Sequence, residues 1–240
     1  MTAVIADTVA ELAEVRDRIA ATTATRDRAV ADQSRLRAQA ELDVQAIADT
    51  RLEGNVNDLD FSLVALDAYY KAAKRMAFLD PTCRIRWSFI AGISRTEGRH
   101  GTYGGAELSA DGQVDPPILG IALDGSNGTA SIGDTDGGEY DGDPATDRAV
   151  GPMQLIPSTW VRWAIDGNGD GEIDPQNMYD SAMAAAAYLC HSGPDLDTDE
   201  GIRRAAFSYN QSSEYVELVL GRAKDYDAYT LPGVPRTPGR

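Results

Sequence analysis

The sequence predicts a mainly α-helical protein with one long irregular insertion, preceded by a long N-terminal helix or helical hairpin. Three observations carry this reading. Residues 3–53 contain neither Gly nor Pro. Apolar residues recur at helical spacing in several later segments, each closed by a Gly, Asn or Pro signal. Between those segments, residues 98–152 hold more than half of the chain's 23 glycines and read as loop with a short strand or two.

The totals agree with a folded domain plus an appendage. Hydrophobic residues make up 42% of the 240, enough for a real core. A formal net charge of −16 argues against nucleic acid or anionic lipid as the main ligand. The acid concentrates in residues 134–147 and 166–180, where Asp alternates with Gly. The first residues, MTAVIADTVAELAEV, lack a basic region followed by an apolar one and do not read as a signal peptide. No stretch reaches membrane-spanning length.

Taken in order, residues 1–60 form the predicted arm. Ile5, Leu12, Ile19, Ala40 and Ile47 keep a seven-residue spacing that Arg26 and Gln33 interrupt, the pattern of a coiled coil with breaks. Self-association through this helix is one expectation. Gly54 and Asn55 end it. Residues 61–230 form the predicted main domain. Its first helix covers about 61–79, with Leu66, Tyr69, Ala73 and Met76 on one face, and stops at Asp80-Pro81. The next runs from Trp87 to Glu97. Helical signal returns at 157–164, 178–190, 199–209 and 214–226. The ending LPGVPRTPGR, residues 231–240, has the composition of a flexible tail.

Glu97 is the residue that calls for an explanation. It closes an apolar helix just before Gly98, where the negative end of the macrodipole disfavours a carboxylate and favours a carboxylic acid. An acid that must give up a proton at neutral pH needs such a setting.

The stretch Asp166-Gly-Asn168-Gly-Asp170-Gly-Glu172-Ile-Asp174 matches the first half of an EF-hand loop. Oxygen side chains stand at positions 1, 3 and 5, a Gly at 6 and a backbone carbonyl at 7. Position 12 is Asn177 in place of the usual Glu, and Asp174 is the residue placed to compensate. The expectation is a structural Ca²⁺ held by Asp166, Asn168, Asp170, Glu172, Asp174 and Asn177. An Asx-rich turn without an ion is the alternative. The two cysteines, Cys83 and Cys190, are outside any C-x-x-C pattern, so zinc is not expected. Two buried thiols and one disulfide both remain open on the residues alone.

The segments GISRTEGRHG, DTDGGEYDGD, DRAVGPMQLIPSTW, DGNGDGEIDPQNMYDSAMAAAAYLC and YNQSSEYVELVL occur in the order found in membrane-bound lytic transglycosylase B-like proteins of actinobacteria. Over residues 62–222 the chain resembles the soluble lytic transglycosylase domain of that group. The resemblance implies a lysozyme-like fold, peptidoglycan glycan strands as substrate, and cleavage between N-acetylmuramic acid and N-acetylglucosamine. It gives Glu97 the role of sole acid and base, with the muramyl C6 hydroxyl closing a 1,6-anhydro ring. Met153 and Gln154 are expected to line the cleft, Met153 as an apolar contact and Gln154 as donor and acceptor to the sugar. Tyr209 and Asn210 resemble the pair whose tyrosine reaches the glutamate or substrate. Tyr103 and Tyr215 are weaker cleft candidates. His100 and His191 receive no role. The resemblance also implies a Cys83–Cys190 disulfide, and with it an extracellular or cell-envelope location.

One residue departs from the pattern. The family usually carries Ser directly after the catalytic glutamate, and here Gly98 stands in that place. Restoring serine at 98 is expected to leave activity unchanged or to raise it. Two other readings compete with the transglycosylase. One is a hydrolytic muramidase, which needs a second carboxylate such as Asp136, Asp141 or Asp147. The other is a non-catalytic peptidoglycan-binding or calcium-stabilised structural protein.

Overall fold

The computed structural model describes residues 15, 16, 18, 19, 22, 23 and 26, and residues 60–228 except 127 and 194. The chain divides into two units, Met1–Leu52 and Glu53–Arg240. The described residues of the first unit are helical. The rest of the arm expected over 1–60, with its heptad spacing, and the tail expected over 231–240 lie outside the described residues.

The second unit is mainly α, as expected. Its helices are α1 (Leu63–Leu79), α2 (Trp87–Glu97), α3 (Pro157–Trp163), α4 (Met178–Ser192), α5 (Asp199–Tyr209) and α6 (Ser213–Ala228). Each start has a local cause. The Ser62 side chain accepts from the Ala65 N–H to open α1, Asn177 accepts from Tyr179 to open α4, and Thr198 accepts from Gly201 to open α5. Pro157 stands at the first turn of α3, where its missing N–H costs nothing. Asp199 and Glu200 place negative charge in the first turn of α5, the favourable end.

The core forms where α1, α2, α4 and α6 meet. Helix α4 buries Ala182 and Ala184 through Ala187, whose small side chains let its neighbours approach closely. Phe89, Ile90 and Ile93 of α2 are completely buried among them. The tightest approach is between α2 and α6. A Cβ on Gly92 would stand 2.9 Å from the Val219 carbonyl oxygen and 3.2 Å from the Ala223 nitrogen, so only glycine fits there. A disulfide joins Cys83, ahead of α2, to Cys190 in α4, across 107 residues.

The insertion between α2 and α3 is irregular but not loose. One two-stranded antiparallel ladder pairs β1 (Glu107–Leu108) with β2 (Val114–Asp115). Isolated bridges then tie Leu119 to Val150, Gly133 to Thr146 and Val150 to Leu155. Carboxylates do much of the remaining fastening. Asp134, Asp136, Asp141, Asp143 and Asp147 each accept backbone N–H bonds within the loop. This is how an Asp/Gly-rich segment holds a shape without regular secondary structure. Its last part, residues 151–154, is brought against the C-terminal end of α2.

Candidate active site

Glu97 is the last residue of α2 and is half-buried. Its Oε1 accepts a hydrogen bond of 2.5 Å from the hydroxyl of Tyr215, in the first turn of α6. Burial pushes the carboxyl up to about 7, against a smaller pull downward from the Tyr215 hydrogen bond. No neighbouring charge enters that balance. Burial also drives the Tyr215 phenol far above its ordinary range, so it stays a donor at any working pH. The group is therefore divided between protonated and ionised forms near neutrality, the condition for a residue that gives and then takes one proton.

Opposite the acid lies the 151–154 turn. The Pro152 carbonyl oxygen would be 2.4 Å from a Cβ built on Gly98, with the Pro152 carbonyl carbon and Cα at 2.9 Å. Two stretches of backbone are in direct contact here. This geometry speaks against the expectation that serine is accepted at 98: a side chain at this position meets main chain, not space. The φ of Gly98 is −119°, so the need for glycine comes from the close approach and not from the backbone angle.

Met153 corrects a second expectation. Its side chain is 0% exposed and belongs to the core, so it has no apolar surface to offer a sugar. What it presents is its carbonyl, which accepts a 2.7 Å hydrogen bond from the Tyr209 hydroxyl. Tyr209 thus holds the turn, and Tyr215, the weaker candidate by sequence, holds the acid. Tyr209 is still near it, because the Glu97 charge adds to burial in raising the Tyr209 phenol. Gln154 adopts a φ of +51°, and its Nε2 donates to the Gly151 carbonyl at 2.9 Å. Its Oε1 faces Gly120, where a Cβ would come within 3.1 Å. A strained, half-buried polar residue of this kind is a common property of binding sites. Asn210 caps the end of α5 and is exposed. Tyr103 is 52% exposed, with the Arg99 guanidinium 5.8 Å from its ring centroid.

The three acids named as candidates for a hydrolase's second carboxylate are engaged in loop hydrogen bonds. Asp136 accepts from the N–H groups of Gly138 and Tyr140, and Asp141 from those of Asp143 and Arg148. Asp147, completely buried, accepts from both the N–H and the hydroxyl of Thr135. Oxygens of Asp134, Asp136 and Asp147 gather within 4.8 Å of one another, a consequence of these turns.

In the 166–177 loop the side-chain oxygens of Asp166, Asn168 and Asp170 accept backbone N–H bonds from residues just ahead of them. Asp166 accepts from the N–H of Gly171 at 2.9 Å, Asn168 from Asp170 at 3.0 Å, and Asp170 from Glu172 at 2.7 Å. Asp174 and Asn177 have other partners. Asp174 accepts from the Gln113 side chain and the Gln176 N–H, and Asn177 caps α4 while donating to the Asp111 carbonyl. The residue that closes the loop is Asp180, which sequence reasoning missed. It is 1% exposed and accepts from the N–H groups of Gly167 at 2.7 Å and Asp174 at 3.0 Å. Burial first, and then the charges of Asp166 and Asp170, push it up to about 6. Its signal in the sequence is an acid three residues past the twelve-residue frame, in the first turn of a helix.

The comparisons with known proteins can now be set beside this geometry. Residues 143–204 match the family described as Transglycosylase SLT domain. The match runs from the end of the acidic loop through the 151–154 turn and the 166–177 loop into α5. It points the same way as the resemblance to lytic transglycosylases that the sequence motifs carry. Among curated proteins nothing matches. Two solved structures are similar, both of the Escherichia coli lytic transglycosylase SLT35. One is a complex with bulgecin A, at 15% identity and a TM-score of 0.39, covering 76% of this chain and 82% of that chain. The other is a complex with calcium, at 13% identity and a TM-score of 0.39, covering 76% and 81%. At such scores no residue is carried across. Among the described residues no helix is long and apolar enough to cross a membrane.

Proposed function

We propose that the chain cleaves peptidoglycan glycan strands between N-acetylmuramic acid and N-acetylglucosamine and leaves a 1,6-anhydromuramoyl end. The observation that carries this is the Glu97 carboxyl: half-buried, held by Tyr215, and, among the described residues, without a second carboxylate acting on it. In the first step protonated Glu97 gives its proton to the glycosidic oxygen as the bond from C1 breaks. The ionised carboxylate then takes the proton of the muramyl C6 hydroxyl, whose oxygen bonds to C1. The proton returns to Glu97 and no water is consumed. Tyr215 keeps the carboxyl in place through both steps, and Tyr209 fixes the facing turn by its bond to the Met153 carbonyl.

A hydrolase on the same scaffold needs a base to activate water. The engagement of Asp136, Asp141 and Asp147 in loop hydrogen bonds disfavours it. Mass spectrometry of products from defined glycan strands separates the two, because a hydrolase product is heavier by one water. Glu97→Gln, nearly isosteric, should abolish release while leaving binding to sacculi intact. Anhydro product from the Glu97→Gln protein at the wild-type rate would remove Glu97 from the mechanism.

The 166–177 loop suits a hard cation by the chemistry of its donors. Asp166, Asn168, Asp170 and the Glu172 carbonyl are the group we assign to calcium, with Asp180 closing the loop behind them. Bound there, the ion supplies no chemistry to the reaction and fastens the loop that leads into α4. A disulfide and a peptidoglycan substrate both suit the cell envelope or its exterior.

A further inference from the structure

His100 has no part in the chemistry above, yet it is among the most enclosed side chains of the protein. It is 1% exposed and sits three residues beyond Glu97, on a backbone with φ of +58°. That left-handed conformation is uncommon for a residue other than glycine, although histidine adopts it more readily than most. Such a position persists only when the surroundings hold it. Here they do so through both ring nitrogens. Nδ1 is 2.8 Å from the hydroxyl oxygen of Tyr69 on α1, and Nε2 is 2.9 Å from that of Tyr226 on α6. Phe61 stacks on the ring at 4.4 Å between centroids.

The proton inventory of this group is consistent with a neutral imidazole. Tyr226 gives its hydroxyl proton to Asp60 at 2.8 Å, so its oxygen is left to accept from Nε2–H. Nδ1 is then the acceptor for the Tyr69 hydroxyl. Tyr69 and Ser94 are joined at 2.7 Å, and their hydroxyl protons rotate to suit. Asp60, Arg95 and Arg222 are the charged groups that act on the ring, and burial holds His100 below its ordinary range.

The arrangement brackets the acid. Tyr69 bonds to Ser94, three residues before Glu97, and to His100, three residues after it. Tyr226 stands on the same helix as Tyr215, the residue that touches Glu97. Further ties join α2 and α6: Ser88 donates to Asp227 at 2.6 Å, and Arg222 to the Thr96 hydroxyl at 3.3 Å. Those act at the far end and along the side of α2. Among the described residues, the His100 node is the side-chain hydrogen-bonded link from α1 and α6 to the segment that follows the acid.

We propose that His100 is a positioning residue, a clamp between Tyr69 and Tyr226 that sets α2 against α6 so that the Glu97 carboxyl meets Tyr215. This deepens the transglycosylase reading and rests on it for its kinetic consequences. The test uses Tyr226→Phe, which removes the hydroxyl's bonds to His100 and Asp60 and keeps the ring packing, and His100→Asn, whose side chain tolerates the positive φ but is too short to reach Tyr226. Both should lower kcat by roughly tenfold to a hundredfold with KM unchanged, the usual cost of a small misplacement of a reacting group. Both should also move the Glu97 carboxyl titration, followed by carbon NMR, upward, because the Tyr215 bond that holds it down is loosened. In a double-mutant cycle, Tyr226→Phe should add little to Tyr215→Phe, since the two act through one contact.

Several results overturn the clamp. They are a Glu97 titration unmoved in both variants, fully additive losses in the cycle, or a kcat that falls only as the folded fraction falls. If the wild-type protein released no product, the transglycosylase reading would fail alone, and the carboxyl titration would still judge the clamp.

Discussion

Replacing Gly98 by serine places a side chain where the structure has main chain. The Cβ would lie 2.4 Å from the Pro152 carbonyl oxygen, whereas real Cβ contacts essentially never fall under 3.0 Å. The end of α2 and the 151–154 turn must therefore separate by at least about 0.6 Å, an overpacking of the kind that costs about 1–3 kcal/mol. For a domain of this size that lowers the melting temperature by about 2–12 °C. The same movement widens the gap between Glu97 and the facing turn. Displacements near 1 Å in such sites cost up to about a hundredfold in rate. Thermal unfolding by circular dichroism and anhydromuropeptide release from sacculi measure the two effects. Gly98→Ala is the informative control, because it adds the same Cβ without the hydroxyl. If Gly98→Ser melts at the wild-type temperature and keeps wild-type activity, the contact with Pro152 does not constrain this position. If alanine is harmful and serine is not, the hydroxyl repairs what the Cβ damages, and the steric argument is incomplete.

Three further outcomes follow from the structure. Burial raises Glu97 from 4.5 to about 7, so the folded protein holds a proton that the unfolded chain has lost between those values. Stability from this residue is thus highest at acid pH and declines as pH rises to about 7, so Glu97→Gln should raise the melting temperature most above pH 7 and least near 4.5. An equal effect at both ends of that range would contradict the burial of the carboxyl. Calcium should bind the 166–177 loop with a measurable heat and raise the melting temperature by mass action, and Asp166→Ala with Asp170→Ala should abolish both. A wild-type calcium titration without heat or thermal shift would leave the loop a simple turn. Replacing both Cys83 and Cys190 by serine should lower stability by about 2–4 kcal/mol in urea, and an unchanged midpoint would mean the bridge constrains nothing.

What the sequence determined by itself is what short-range chemistry controls. The starts of α1, α4 and α5 follow from Ser62, Asn177 and Thr198 accepting N–H bonds from two or three residues ahead. The apolar spacing of α2 and its end at Glu97 were legible for the same reason, as were the local turn bonds of Asp166, Asn168 and Asp170. Order among motifs carried the resemblance, and through it the role proposed for Glu97 and the Cys83–Cys190 pairing that the structure contains.

Tertiary structure alone decided which groups meet. Tyr215 touches Glu97 across 118 positions of chain, and Tyr209 reaches the Met153 carbonyl across 56. Nothing local to either tyrosine records that exchange of roles. Met153 reads as adaptable cleft lining until packing turns its side chain into the core. Gly98 reads as a missing hydroxyl until Pro152 arrives against it. His100 reads as a polar loop residue until α1 and α6 enclose it. In each case the deciding quantity is a distance between segments far apart in the chain. Such distances are set by the packing of α1, α2, α4 and α6 around one core, so they follow from the whole sequence acting together and from no stretch of it read alone.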